Sequence, residues 1–203
     1  MDNYANFVTV FQSWADNDDV NAQVDYMLTL VHARLNRLLK LEEQTTLVTA
    51  STVAGDAWVA KPDRYNGMRR LKIDTGTSTL GLDFKPLAEF DDDIGLNSSG
   101  KPNSFTVLGD RIRLGPIPDG AYTLEMAYWK KQQVLSSTVT TNVFLEQVPD
   151  LLLYGCLVEA EPWLKDNEMF ALWEARYQKA LTEVAADTAE EAFPSGQLSV
   201  RAV

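Results

Sequence analysis

The chain has 203 residues, 45% of them apolar and 23% charged, a globular composition that excludes disorder of the whole chain. Eighteen Lys and Arg against 29 Asp and Glu leave a formal net charge of −11, which argues against wrapping nucleic acid or coating an anionic membrane through clustered cations. A single cysteine excludes an internal disulfide and Cys-rich zinc sites, and a single histidine argues against a His-based metal centre and leaves no spare catalytic imidazole.

The start, MDNYANF, is neither basic nor followed by an apolar run of signal-peptide length. No stretch approaches the ~20 apolar residues of a membrane helix. The expectation is a protein that folds in a reducing compartment. Tyr4, Phe7, Val8, Phe11 and Trp14 keep helical spacing and predict a helix over 3–15, capped by Asp2 or Asn3 and stopped by the run Asp16 to Asp19. Val24, Met27, Leu28, Val31, Leu35, Leu38 and Leu41 predict a second helix over 21–41, with Arg34, Arg37 and Lys40 suited to its negative end.

From Thr45 to about Val143, β-branched and turn residues dominate. Strands are expected at 45–53, 58–60, 68–74 and 82–85. A hairpin over 104–129 turns at Gly109-Asp110 and again at Pro116 to Gly120, and its three strands are expected to form one antiparallel meander. Tyr122, Leu124, Met126 and Tyr128 alternate along the third strand and mark a covered face. Pro149 and Asp150 suit a helix start, and Leu151 to Val158 is apolar on nearly all sides. Pro162 interrupts, and Asp166 or Asn167 caps a last helix over 167–187. Trp163 and Trp173 are expected as core anchors. Residues 188–203 read as an extended exposed tail whose end alternates apolar and polar residues at Leu198, Val200 and Ala202.

No catalytic constellation stands out. His32 lies inside the second helix and reads as structural or exposed, and Cys156 lies in the most apolar helix and reads as inert packing. Glu89, Asp91, Asp92 and Asp93 form the densest acidic cluster, but the loop lacks the calcium-binding pattern of alternating ligands and central glycine, so a solvated turn is expected. Glu159 and Glu161 are two apart and cannot share one helix face. No phosphate-binding glycine loop is present. Lys61, Arg64, Arg69, Arg70 and Lys72 form the densest basic cluster, while residues 146–191 carry eleven acids against three bases. Unlike patches of this kind suit head-to-tail self-association, with a solvated helix face as the equal alternative.

Several blocks, in order, resemble the head–tail adaptor (connector) proteins of bacteriophages. Gly109 to Trp129 (GDRIRLGPIPDGAYTLEMAYW) resembles their central hairpin, and Pro149 to Asp166 (PDLLLYGCLVEAEPWLKD) their C-terminal helix, as does Trp173 to Tyr177. Ala33 to Arg37 is similar to part of their N-terminal helix. No single block makes an active site; the combination and order carry the resemblance, which spans most of the chain.

The resemblance implies a structural, non-enzymatic virion component at the head–tail junction, present in the host cytoplasm during assembly. It implies a homo-oligomeric ring, commonly of about twelve copies, docked beneath the portal protein and above a tail or nozzle protein. Genomic DNA would pass through its lumen without specific binding, with no cofactor and no membrane contact.

The fold class expected is α+β. A helical bundle is drawn from residues 1–44 and 149–187, an antiparallel β domain is inserted at 45–148, and a tail follows at 188–203. Leu198, Val200, Arg201 and Val203 are candidate contacts to the portal or a neighbouring copy. Lys61, Arg64, Arg69 and Arg70 are a candidate basic patch for subunit contact. The alternative function is a non-catalytic binding module for carbohydrate or protein using the β domain.

Overall fold

A computed structural model describes residues 1–165 and 167–192. The fold is α+β, and the chain divides into two compact units, one made of Met1–Glu43 with the chain from Gln132 onward, the other of Gln44–Lys131.

The first unit is helical. Helix α1 (Tyr4–Ala15) begins at Asn3, whose side chain accepts a hydrogen bond from the Asn6 amide, and ends at Asp16 in a left-handed conformation. Its stripe of Phe7, Phe11 and Ala15 is buried, as i, i+4 spacing requires. Trp14, expected on that face, is 42% exposed. A short helix α2 (Asp18–Asn21) leads into α3 (Val24–Leu38), which buries Val24, Met27, Leu28, Val31, His32 and Leu35. Tyr4 Oη donates to Asp25 Oδ1 at 2.6 Å, tying the start of α1 to α3.

After the second unit the chain re-enters with α5 (Val143–Gln147), α6 (Pro149–Glu159), α7 (Glu161–Leu164) and α8 (Asn167–Ala192); the intervening α4 (Leu87–Asp92) belongs to the second unit. Helix α6 buries residues on nearly every side, among them Leu151, Leu152, Gly155 and Cys156, because it sits between α3 and α8. Gly155 is needed there: a Cβ at this position would lie 2.9 Å from Val31 Cγ1 and 3.3 Å from Tyr177 Cε2. Pro162 falls in the first turn of α7, where its missing amide costs nothing.

Three expectations differ here. Residues 132–148, expected with the β insertion, pack with the helices instead, since Leu135, Phe144, Leu145 and Val148 are buried in the helical core. Helix α8 continues through residues 188–192, expected as the start of the tail, because Thr188, Ala189, Glu190, Glu191 and Ala192 contain no helix breaker before Pro194. Trp173 is buried in the helical core, whereas Trp163 is only half-buried at its edge, facing Tyr26 edge-on at 6.5 Å. Asp166, a candidate cap, lies outside the described residues.

The second unit holds two four-stranded sheets. Strands β1 (Thr45–Ser51), β2 (Trp58–Ala60), β3 (Tyr65–Asp74), β4 (Thr79–Gly81), β5 (Asp83–Phe84), β6 (Ser99–Gly100), β7 (Ser104–Leu108), β8 (Arg111–Gly115), β9 (Ile117–Pro118) and β10 (Thr123–Lys130) assemble in the orders β1-β10-β3-β4 and β2-β8-β7-β5, with β6-β9 as a separate pair. Pairing is antiparallel except in the two-residue ladders β5-β7 and β6-β9. Leu71, Ile73, Leu124 and Met126 of the first sheet and Phe105, Ile112 and Leu114 of the second share one apolar cluster.

The expected meander is therefore split. β7 and β8 form the hairpin at Gly109-Asp110, with Gly109 at φ +58°, but β10 leaves for the other sheet and pairs with β1 and β3. Pro116 and Pro118 lack the amides that a continued ladder would use, so the chain is released after Gly115 and free to cross. Leu124 and Met126 on β10 lie in the apolar cluster and Tyr128 is also buried, while Tyr122 is partly buried beside the cluster.

Candidate functional site

The four residues of the candidate basic patch all lie on or before β3, in two groups. Lys61 Nζ donates to the Gly109 carbonyl at 2.9 Å and sits 4.6 Å from the Tyr65 ring centroid. Arg64, at φ +51°, pairs with Asp63 at 3.1 Å. Arg69 and Arg70 are consecutive, and strict alternation would send them to opposite faces. A bulge intervenes: Arg70 lies opposite Ala127 and Met68 opposite Tyr128, so Arg69 is the inserted residue. Arg69 Nη1 then donates to Thr45 Oγ1 at 2.8 Å with its guanidinium 5.3 Å from the Trp129 ring. Arg70 Nη2 donates to Glu125 Oε1 at 2.9 Å. Glu125 and Trp129 share one face of β10, so the bulge turns both arginines to the same outer surface. Exposed pairs of this kind contribute about 0–1 kcal/mol each, and Asp63 and Glu125 offset the charges of Arg64 and Arg70.

The acidic cluster, expected as a solvated turn, lies on α4 (Glu89, Asp91 and Asp92) and the turn after it (Asp93), and is held by cations from neighbouring elements. Asp91 accepts from Arg113 Nη1 at 2.7 Å, and Asp93 accepts from Lys85 Nζ at 2.9 Å while also capping the turn at Gly95. The Asp93 hydrogen bond raises the Lys85 pKa above its ordinary value. Arg113 also lies 5.1 Å from the ring of buried Phe90. Among the described residues no group of three or more His, Cys, Asp or Glu side chains converges as a metal site requires.

His32 is fully buried and structural. Its Nδ1 faces the Leu28 carbonyl at 2.8 Å and its Nε2 faces Asn142 Nδ2 at 2.8 Å, so the ring donates at Nδ1 and accepts at Nε2. Desolvation lowers its pKa from 6.5 to about 4, and the Leu28 hydrogen bond only partly opposes this. Asn142 also donates from Nδ2 to the Gln133 carbonyl, and its Oδ1 accepts from the Leu145 amide to cap α5. Cys156 is fully buried, and desolvation pushes its thiol well above its ordinary pKa, leaving no reactive thiolate. Glu159, the first of the two α6–α7 carboxylates, pairs with Arg34 of α3, whose guanidinium also faces the Tyr177 ring.

Two features escape the sequence reading. Trp14, Tyr154 and Trp173 stack around one another at 5.4 to 6.3 Å between centroids, with Arg176 beside the last two rings. Their i, i+3 and i+4 spacing marks them as apolar-face residues, but not that they meet. In the second unit, a cleft of about 520 Å³ is lined by apolar residues of β3, β5 and β7, among them Met68, Leu71, Phe84 and Phe105, together with the charged residues Arg69, Arg70 and Asp83. Nothing in their local pattern separates cleft from core. The tail candidates Leu198, Val200, Arg201 and Val203 lie outside the described residues.

The family model described as SU10 adaptor protein matches residues 2–201. The chain belongs to the SU10 adaptor protein family. The resemblance to phage head–tail adaptors drawn from the sequence blocks agrees with this match over nearly the whole chain. No curated protein matches it. Membership in a phage adaptor family assigns the chain a structural role at the head–tail junction, in contact with other head and tail proteins. No helix among the described residues is long and apolar enough to cross a membrane.

Proposed function

We propose that this adaptor assembles as a ring, of about twelve copies, that joins the portal to the tail and extends the DNA channel, without catalysing a reaction. The observation that carries the reading is the family match, which runs through both units from residue 2 to 201 without a second module. The acidic balance supports a channel role, since a net charge of −11 repels phosphate and lets DNA pass without adhering. The outer surface bearing Arg69 and Arg70, with Lys61 and Arg64 nearby, faces the acidic 146–191 segment of a neighbouring copy. Leu198, Val200, Arg201 and Val203 contact the portal or that neighbour.

Electron microscopy of this protein mixed with the portal protein of the same phage tests the reading. A ring added to one end of the portal gives the copy number directly. A bare, assembly-competent portal beside free adaptor would refute it.

A further inference from the structure

Strand β1 ends the first sheet, and its far side is unpaired among the described residues. Its register with β10 is unbroken from Thr45 opposite Trp129 to Ser51 opposite Thr123, and the next amide, Thr52, donates to the Tyr122 carbonyl at 2.9 Å. Backbone groups alternate sides along an antiparallel strand. Thr46, Val48 and Ala50 therefore direct their N–H and C=O groups to β10, and Leu47, Thr49 and Ser51 direct theirs away from it. The side chains of Leu47, Thr49 and Ser51 are exposed, Leu47 at 62%, while Val48 and Ala50 pack on the apolar cluster.

Edge strands are ordinarily blunted by shortness, charge or proline. The other edges of the two four-stranded sheets follow this rule: β2 and β4 have three residues each and β5 has two. β1 has seven, and from Thr45 to Gly55 the chain carries no ionisable side chain and no proline. We infer that β1 is a dimerisation edge, pairing antiparallel with β1 of a second copy about a two-fold axis. Among the described edges only another β1 matches its length. Charge selects the same occupant. A chain at −11 repels its own copies, so they meet where charge is absent. Glu125, the acid opposite Thr49 on β10, is already paired with Arg70. In full overlap Val48 faces Val48 of the second copy and Leu47 faces its Thr49, so the outward amides and carbonyls find partners. Seven residues a side fall short of the roughly 20–30 of a standard interface, so the dimer forms and separates with concentration. A two-fold contact closes at two copies and cannot repeat around a ring. The dimer is therefore the form of the protein off the portal, where it covers an edge that invites unspecific strand pairing, and it stands apart from the ring reading.

The test uses the full chain without the portal. Sedimentation from about 10 μM to about 1 mM should show the mass rise from one chain toward two. Hydrogen exchange followed by NMR should slow at the Leu47, Thr49 and Ser51 amides over the same range. Thr49→Pro removes an amide that β10 does not use and should weaken the dimer by about tenfold or more, with the circular dichroism spectrum unchanged. Leu47→Lys, at a side chain already exposed, should act likewise by placing charge on the edge. A chain that stays monomeric over that range overturns the inference, as does a dimer whose three amides exchange fast or one that neither substitution weakens. Slow exchange at those amides in a monomer would show the edge covered from within the same chain. Growth beyond two copies with slowed β4 amides would show head-to-tail joining. Either result also overturns the inference, and all of them leave the ring reading standing, since no portal is present.

Discussion

His32 sits where a titratable ring is least expected, in the apolar core, and its hydrogen bonds explain both its tolerance and its cost. The ring serves Leu28 and Asn142 only when neutral at Nε2. Its folded pKa of about 4 lies below the ordinary 6.5, so the unfolded chain takes up the proton first. The stabilisation is complete above pH 6.5 and is lost as pH falls through about 4, a difference of up to about 3 kcal/mol. Urea unfolding at pH 7.5 and pH 4.5 should show a larger loss for the natural chain than for His32→Asn, whose amide does not titrate; equal losses would place the acid sensitivity elsewhere. The two tryptophans make a matched pair. Trp173 is 7% exposed, and Trp173→Ala should cost about 3–5 kcal/mol. Trp163, half-buried at the core edge, should cost clearly less, and thermal melts of both variants give the comparison directly.

At the level of elements, legibility follows how local the cause is. The helix from Pro149, a cap at Asp2 or Asn3, of which the structure uses Asn3, and the turn at Gly109-Asp110 were readable because a few adjacent residues fix them. The destination of β10 was not, because Thr123 to Lys130 carries the same alternation whether it pairs with β8 or with β1 and β3. Burial of Phe144 and Leu145 on the helical side was equally silent, since an apolar residue does not name its core. The basic residues were legible as a cluster, but the bulge that gathers Arg69 and Arg70 on one surface depends on pairing with a distant strand. Gly67 lies two residues before Arg69 at φ +139°, with a Cβ there 3.3 Å from Trp129. Gly67→Ala should destabilise this unit by about 1–3 kcal/mol through backbone strain and crowding of Trp129. Its signature is a shifted tryptophan fluorescence transition, and an unchanged transition would show that the bulge relaxes freely.

For the whole molecule, charge and chain path matter most. If the arginine surface meets the acidic segment of a neighbour, assembly is salt-sensitive: the Debye length falls from about 10 Å at 0.1 M to about 3 Å at 1 M. Ring occupancy on the portal, counted by microscopy, should drop over that range, and Arg69→Glu combined with Arg70→Glu should reproduce the drop at low salt. Salt-independent occupancy would point to apolar contacts instead. The chain path bears on folding kinetics. The excursion between α3 and α6 begins at Gln44 and ends at Lys131, and Thr45 is paired with Trp129 across the base of the β1-β10 ladder. A disordered excursion would impose a loop-closure cost on every contact of α3 with α6, a cost that grows with the logarithm of loop length. Once that ladder has formed, the detour is short-circuited to a few residues. Pulse-labelled hydrogen exchange during refolding should therefore find the amides of Leu124 and Met126 protected before those of Leu152 and Cys156, so that the strands act as the clasp that lets the helices find each other.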